Sequence, residues 1–285
     1  MQEPKPFVKW AGGKTHLLQD LLANAPSKFE NYFELFVGGG ASFFKLYSLG
    51  RIKKAFLNDS NKDLMTAYEV IKTKPYELIK ELASPNYKNS EETYYQIRAK
   101  EPTNKVQQAA RFIYLNKTAY NGLYRVNAQG KFNVPFGKYE NPKILDLENI
   151  LSVSKALQTD ELTCIDFEQA VEKAKESDFV YLDPPYHPIS KTSSFTSYTR
   201  ENFTEKDQKR LFKCFQLLDE KGCFVMLSNS CAPLIEELYK DYNMSVVMAG
   251  RAISCKGEGR GKINEFLITN YKVHAPLKLA LATTA

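Results

Sequence analysis

Short apolar runs alternate with amphipathic stretches along the chain, and this alternation predicts its elements. Tyr32-Phe33-Glu34-Leu35-Phe36-Val37 reads as a short strand running into Gly38-Gly39-Gly40. A helical stretch with Leu17, Leu18, Leu21 and Leu22 precedes it, and a helix through Phe43, Phe44, Leu46 and Tyr47 follows, stopping at Gly50. Ala55-Phe56-Leu57-Asn58 reads as a second strand ending at Asp59. Asp59 or Ser60 then caps a helix whose Leu64, Ala67, Tyr68 and Ile71 share one face. Strand, helix, strand, helix is an α/β order.

From about residue 84 to residue 145 the pattern becomes polar, basic and tyrosine-rich. Turn signals stand at Asn121-Gly122 and Gln129-Gly130, and a helix is expected near Lys105 to Leu115. This stretch reads as an insertion, partly helical and then a loop and hairpin. The α/β pattern resumes with strands at Thr163-Cys164-Ile165 and Phe179 to Leu182. Thr204 with Asp207 forms a capping-box signature ahead of a helix burying Leu211, Cys214, Phe215 and Leu218 and ending at Gly222. Cys223 to Leu227, Met244 to Met248 and Phe266-Leu267-Ile268 complete the strands. The last residues, 274–285, carry no packing pattern, and no internal repeat is present.

The strand at Phe179 runs directly into Asp183-Pro184-Pro185-Tyr186. Proline fixes its own φ and forces the residue before it into extended backbone. The Pro184 carbonyl is therefore held in one direction beside the Asp183 carboxylate, with the Tyr186 ring next to both. Two acceptors converging on one point suit an amino group on a flat heterocycle. Hydrogen bonds from that group draw its nitrogen lone pair out of conjugation and make it nucleophilic. The alternative is a proline-rich turn after a strand.

Composition narrows the class. With 285 residues and 43% hydrophobic content the chain supports one large domain or two smaller ones. No uninterrupted apolar stretch reaches membrane-spanning length, and the N-terminus has no apolar leader. Five cysteines without a C-x-x-C pair and three histidines argue against structural zinc and against a disulfide framework, and for a reducing cytoplasm. Ten Lys/Arg and four acids lie between Asn86 and Leu145, an excess matching the +6 net charge of the whole chain. Seven of the 17 tyrosines lie there too. Basic side chains interleaved with aromatics suit phosphate contact and base stacking; a solvated basic face is the alternative.

The glycine cluster fails both phosphate-binding patterns. Phe43 stands where the third glycine of a dinucleotide fingerprint belongs, and Val8 where Gly12-Gly13-Lys14-Thr15 would need the first glycine of a P-loop. A nucleoside without pyrophosphate remains, S-adenosylmethionine foremost. Asp59, about 20 residues on at a strand end, suits ribose hydroxyls or caps a helix. Asp166 suits an adenine amino group, with Phe167 stacking on the ring, or is itself an N-cap. Lys14 suits a carboxylate or faces solvent. Trp10, the single tryptophan, suits the site or the core.

Taken together these residues resemble the Dam-type N6-adenine DNA methyltransferases. The likeness lies in Phe7 to Lys14, Phe33 to Gly40, Asn116 through Lys138, Asp183 to Tyr186 and Phe195-Thr196-Ser197-Tyr198, and covers about Lys5 to Tyr271. Tyr120-Asn121-Gly122-Leu123-Tyr124-Arg125 and Phe132-Asn133-Val134-Pro135-Phe136-Gly137 are especially close, and the motif order is that of the family's alpha group. The resemblance implies a Rossmann-like methyltransferase sheet with an inserted, mostly helical target-recognition subdomain containing a β-hairpin. Residues 1–60 and 160–273 would form the catalytic and cofactor domain, 61–159 the recognition subdomain and 274–285 a tail. It implies transfer of a methyl group from S-adenosylmethionine to N6 of an adenine flipped out of double-stranded DNA, within GATC. Asp183, Pro184, Pro185 and Tyr186 would be catalytic. Trp10, Lys14, Glu34, Phe36, Gly38, Gly39, Gly40, Asp59, Asp166, Phe167 and Asp183 would bind the cofactor. Lys9, Tyr120, Asn121, Leu123, Arg125, Pro135, Lys138 and Tyr198 would read DNA, with Arg125 bidentate to guanine and Leu123 and Pro135 on a thymine methyl. Phe195 or Tyr198 would close over the flipped base. Lys138 replaces the arginine of the enterobacterial enzymes, so a bidentate contact is lost there. A cytoplasmic, nucleoid-associated monomer is expected, compatible with a cognate restriction endonuclease on a separate chain. Asp at the first catalytic position and the recognition loop argue against RNA or cytosine N4 as acceptor. A silent DNA-binding module would carry a broken motif, and none is broken.

Overall fold

The computed structural model describes residues 2–10, 12, 17–189, 203–250 and 262–273, with backbone alone at 248–250 and 262–263. Seven strands form one sheet in the order β3-β2-β1-β4-β5-β7-β6. They are β1 (Tyr32–Glu34), β2 (Ala55–Asn58), β3 (Glu161–Thr163), β4 (Phe179–Leu182), β5 (Phe224–Ser230), β6 (Asn243–Gly250) and β7 (Lys262–Thr269). The first five are parallel, and β7 runs antiparallel to both β5 and β6. This is a doubly wound, Rossmann-like order, and it reverses between β1 and β4. A crevice opens outside the carboxyl ends of strands at such a reversal. The central strand β4 is buried along its whole length, as a parallel strand covered on both faces must be.

Helices cover both faces. On one side α1 (Leu18–Asn24), α2 (Ala41–Ser48), α3 (Lys62–Thr73), α4 (Pro75–Leu82), α6 (Lys105–Thr118) and α7 (Leu147–Ala156) close a cluster that includes Phe43, Leu64, Tyr68, Ile113 and Tyr181. On the other, α8 (Phe167–Ala170), α9 (Glu205–Glu220) and α10 (Pro233–Tyr239) cover Phe33, Val180, Leu182 and Leu227. A third, smaller cluster joins α5 (Glu91–Ala99) to the end of α6 and to Phe132 and Val134. Helix α6 serves two clusters, burying Ile113 in the first and Leu115 in the third. Among the described residues no helix is long and apolar enough to cross a membrane.

Several boundaries differ from the sequence expectation for physical reasons. Strand β1 ends at Glu34 because the chain turns away, the Val37 N–H bonding the Asn58 carbonyl. Strand β3 ends at Thr163, since the Ile165 N–H is taken by the Asn58 side chain. The N-cap of α3 is Asn61, which accepts from the Leu64 N–H, rather than Asp59 or Ser60. The Thr204–Asp207 capping box forms as expected.

Candidate active site at the carboxyl edge of the sheet

Strand β4 delivers Asp183 to the crevice, and the end of β5 holds it there. The Ser228 hydroxyl donates to Asp183 Oδ1 at 3.0 Å and lies 2.9 Å from the Tyr181 hydroxyl. Asn229 Oδ1 accepts from the His187 N–H at 3.2 Å, and the Ser230 hydroxyl donates to the His187 carbonyl at 2.6 Å. From α9, Gln208 donates to the Pro185 carbonyl at 3.0 Å and accepts from Asn229 at 3.1 Å. Ser228, Asn229 and Gln208 are fully buried. Buried polar groups left without partners are costly, so these bonds hold the backbone of the loop from Asp183 to His187, although His187 Nδ1 itself is buried without a hydrogen-bond partner.

Tyr186 is tethered from the opposite direction. Its hydroxyl donates to Glu265 Oε2 on β7 at 2.7 Å. Burial, then the charges of Asp183 and Glu265, push the phenol well above its ordinary range, so it stays a donor. Gln208, Ser228, Asn229, Ser230 and Glu265 were not singled out by the sequence reading. The available signal was three consecutive polar residues, Ser228-Asn229-Ser230, closing an otherwise apolar strand.

The neighbouring strand β1 delivers the glycine turn. Gly38 and Gly40 adopt φ of +48° and +73°. A Cβ on Gly38 would meet Trp10 Cδ1 at 2.5 Å, and one on Gly40 the Tyr68 hydroxyl at 2.6 Å. Glycine is required at both for backbone and for space. Asp59 accepts from the Gly38 N–H at 3.0 Å and from the Asn61 N–H at 2.9 Å. Burial pushes its carboxyl up to about 6 against those two donors, leaving it largely ionised at neutral pH. Buried Asn58 ties three strand ends together, bonding the Leu35 and Ile165 carbonyls and the Thr163 hydroxyl.

Glu34 is 3% exposed and turned inward, where it accepts from the Tyr32 hydroxyl at 2.9 Å. Burial pushes its carboxyl up to about 8, opposed by Tyr32 and by the Phe43 N–H and raised further by Asp183. Phe43 lies in the first turn of α2, whose N-cap is Gly40 and has no side chain to offer. Glu34 therefore supplies the capping acceptor from the sheet.

Phe36, Phe167 and Phe203 converge beyond the turn with centroids 5.6 to 5.9 Å apart. Asp166 caps α8 through the Glu168 N–H at 2.9 Å and pairs with Arg210 at 2.9 Å. The Arg210 guanidinium lies 4.8 Å from the centre of the Phe167 ring. Lys14, Phe195 and Tyr198 lie outside the described residues.

The loop at 119–138 is joined to the glycine turn through Trp10. Tyr120 N–H bonds the Pro135 carbonyl, and the Asn133 N–H bonds the Arg125 carbonyl. Antiparallel bridges join Ala119 to Phe136 and Val126 to Phe132. Arg125 Nε donates to Asn133 Oδ1 at 2.8 Å, which stiffens an exposed guanidinium. From behind, the Tyr94 hydroxyl and Arg98 both donate to the Val134 carbonyl. Lys9, Tyr120, Arg125, Pro135 and Lys138 are exposed; Asn121 and Leu123 are half-buried. Trp10 stacks on Tyr124 at 5.7 Å while touching the glycine turn, so it belongs to both regions.

Comparison with known proteins places this arrangement. Residues 10–253 match the family model for D12 class N6 adenine-specific DNA methyltransferases. The Type II methyltransferase M1.LlaDCHI of Lactococcus lactis subsp. cremoris is 46% identical, over 94% of this chain and 95% of its own. Type II methyltransferase M.MjaIII of Methanocaldococcus jannaschii is 45% identical over 94% and 100%. The DNA adenine methylase of Escherichia coli K12 is 37% identical over 94% and 95%.

Proposed function

The chain belongs to the D12 class N6 adenine-specific DNA methyltransferases, and on that premise we propose that it methylates N6 of an adenine flipped out of duplex DNA, within GATC. The observation that carries the reading is the meeting of two motifs across the β1/β4 reversal: the glycine turn with Asp59, and Asp183 held by Ser228.

The residues fit S-adenosylmethionine. An ionised acid at the end of β2, an aromatic cluster at Phe36 and Phe167 whose edge a purine ring can pack against, and a turn too tight for side chains suit ribose hydroxyls, the base and close backbone approach. Lys14 and Trp10 would join them, with Asp166 near the ring. S-adenosylmethionine, when bound, supplies the electrophilic methyl group.

Asp183 and the Pro184 carbonyl accept hydrogen bonds from the adenine amino group and hold its nitrogen pair toward the methyl donor. Tyr186, fixed by Glu265, flanks the ring. An amino group inside a base stack cannot reach this crevice, so the base must leave the duplex. Preorganised acceptors and orientation supply the rate. Lys9, Tyr120, Asn121, Leu123, Arg125, Pro135 and Lys138 meet the duplex, with residues 61–159 as the reading part and 1–60 with 160–273 as the chemical part. The protein acts as a cytoplasmic monomer in this reading.

Incubating plasmid DNA with the protein and S-adenosylmethionine, then mapping modified bases by single-molecule sequencing, tests it. N6-methyladenine confined to GATC supports the whole reading. The same base in another motif keeps the Asp183 pocket and overturns the assignment of Arg125, Leu123 and Pro135. No modified adenine overturns the reading.

A further inference from the structure

Asn116 is 1% exposed and lies in the last turns of α6. Its side chain makes three hydrogen bonds. Oδ1 accepts from the Lys9 N–H at 2.8 Å. Nδ2 donates to the Lys9 carbonyl at 2.8 Å and to the Gly122 carbonyl at 3.1 Å. One amide therefore occupies both backbone groups of Lys9, as a neighbouring strand would, and fastens them to the turn at Tyr120–Gly122.

The fit behind this junction is close. Gly122 has φ of +64°, and a Cβ there would meet Lys9 Cδ at 2.4 Å. Asn121, beside it, is also left-handed at φ 54°. Asparagine is one of the few non-glycine residues that adopt that conformation readily. The Lys9 stem runs across Gly122, and its ammonium lies 4.7 Å from the centre of the Tyr139 ring.

We propose that Asn116 is a positioning residue for sequence discrimination, locking Lys9 and the Tyr120–Gly122 turn into one base-reading edge. Lys9 is separated from Asn116 by 107 positions in the chain, so this lock decides whether two distant segments approach a base pair in fixed register. The inference rests on the function proposed above. A misplacement of about 1 Å is enough to cost orders of magnitude in a positioned contact.

Two variants test it. Asn116→Asp keeps an acceptor for the Lys9 N–H but sets an oxygen against two carbonyls. Gly122→Ala leaves Asn116 intact and forces the Lys9 stem away. Methyl transfer would be measured on duplexes carrying the cognate site and each single-base change, with S-adenosylmethionine affinity read by calorimetry as the check on folding. In both variants the ratio of kcat/KM between cognate and changed sites should fall about tenfold, with cofactor affinity held within about threefold. A uniform loss on every duplex with the ratio preserved, or no loss, overturns the proposal. If Asn116→Asp does not fold, Asn116→Ser, whose hydroxyl cannot span both backbone groups of Lys9, takes its place. If the native protein methylates no adenine, the functional reading fails and hydrogen exchange tests the lock. Residues 5–10 and 119–125 must then lose protection together in a folded variant, and loss in only one, or in neither, overturns it.

Discussion

The loop proposed to be catalytic and the loop proposed to read DNA solve opposite problems with similar parts. Residues 183–187 are gripped from the front, by Ser228 on the Asp183 carboxylate itself and by Gln208, Asn229 and Ser230 on the loop around it. The recognition loop is gripped from behind, by Asn116, Tyr94 and Arg98 on its backbone, while Tyr120, at 46% exposed, and Arg125 face outward. Chemistry on one small group needs acceptors that do not move. Reading a base edge needs long side chains in water on a backbone that does not move. Both regions therefore use buried polar side chains, but Asp183 is held by the buried set directly, whereas the Arg125 guanidinium is braced at the surface by Asn133.

The comparison predicts separable failures. Asp183→Asn keeps size and loses the strong acceptor. Turnover should fall on the order of 10³-fold, with cofactor affinity and the ranking of DNA sites in binding assays unchanged. Near-normal turnover would remove Asp183 from its role. Arg125→Ala should do the reverse, lowering discrimination at one base pair about 10- to 100-fold while saturating cognate DNA is still turned over. A discrimination ratio that survives Arg125→Ala would show that the base is read elsewhere. Ser228→Ala sharpens the contrast. It removes one donor from Asp183 and loosens the hold on its carboxylate, so kcat should fall about tenfold with the KM for DNA little changed. An equal rise in KM would mean that the two regions are not separable.

The sequence disclosed these regions unevenly, and for physical reasons. Strand β4 was legible to the residue, because a buried parallel strand is continuously apolar and Pro184-Pro185 closes it unambiguously. The capping box at Thr204 and Asp207 was legible because its partners lie three residues apart. Ser228 was not, because its partner Asp183 is 45 positions away and adjacent only once β4 and β5 pair. The same holds for Glu265, which reaches Tyr186 from an antiparallel strand. The cap at Asn61 was missed because three polar residues, Asp59, Ser60 and Asn61, compete for one role. Asp59 was drawn off by the Gly38 N–H, a contact that no local pattern encodes.

One further predicted effect bears on titration and is read in stability rather than in turnover. The Asn116 lock is a neutral amide and does not change with pH, whereas the catalytic edge is braced by Glu34. Burial lifts that carboxyl to about 8 in the fold, against about 4.3 in an unfolded chain. The folded state therefore holds the proton more tightly, and the stability from this group is fully present at acid pH. It is lost as pH rises, by about 1.4 kcal/mol per unit, until the folded carboxyl itself ionises near pH 8. Glu34→Gln cannot titrate. Its stability relative to the native protein should start slightly lower at pH 5, for want of one acceptor, and gain with pH until it levels off above 8. Denaturant unfolding at pH 5, 7 and 9 measures this. Above pH 8 the native protein should lose turnover, because a second charge then lies near Asp183, while its ranking of DNA sites holds. If the variant's stability tracks that of the native protein across the range, Glu34 is not the proton-holding brace. If site ranking decays together with turnover, the two regions share a support that the comparison treats as separate.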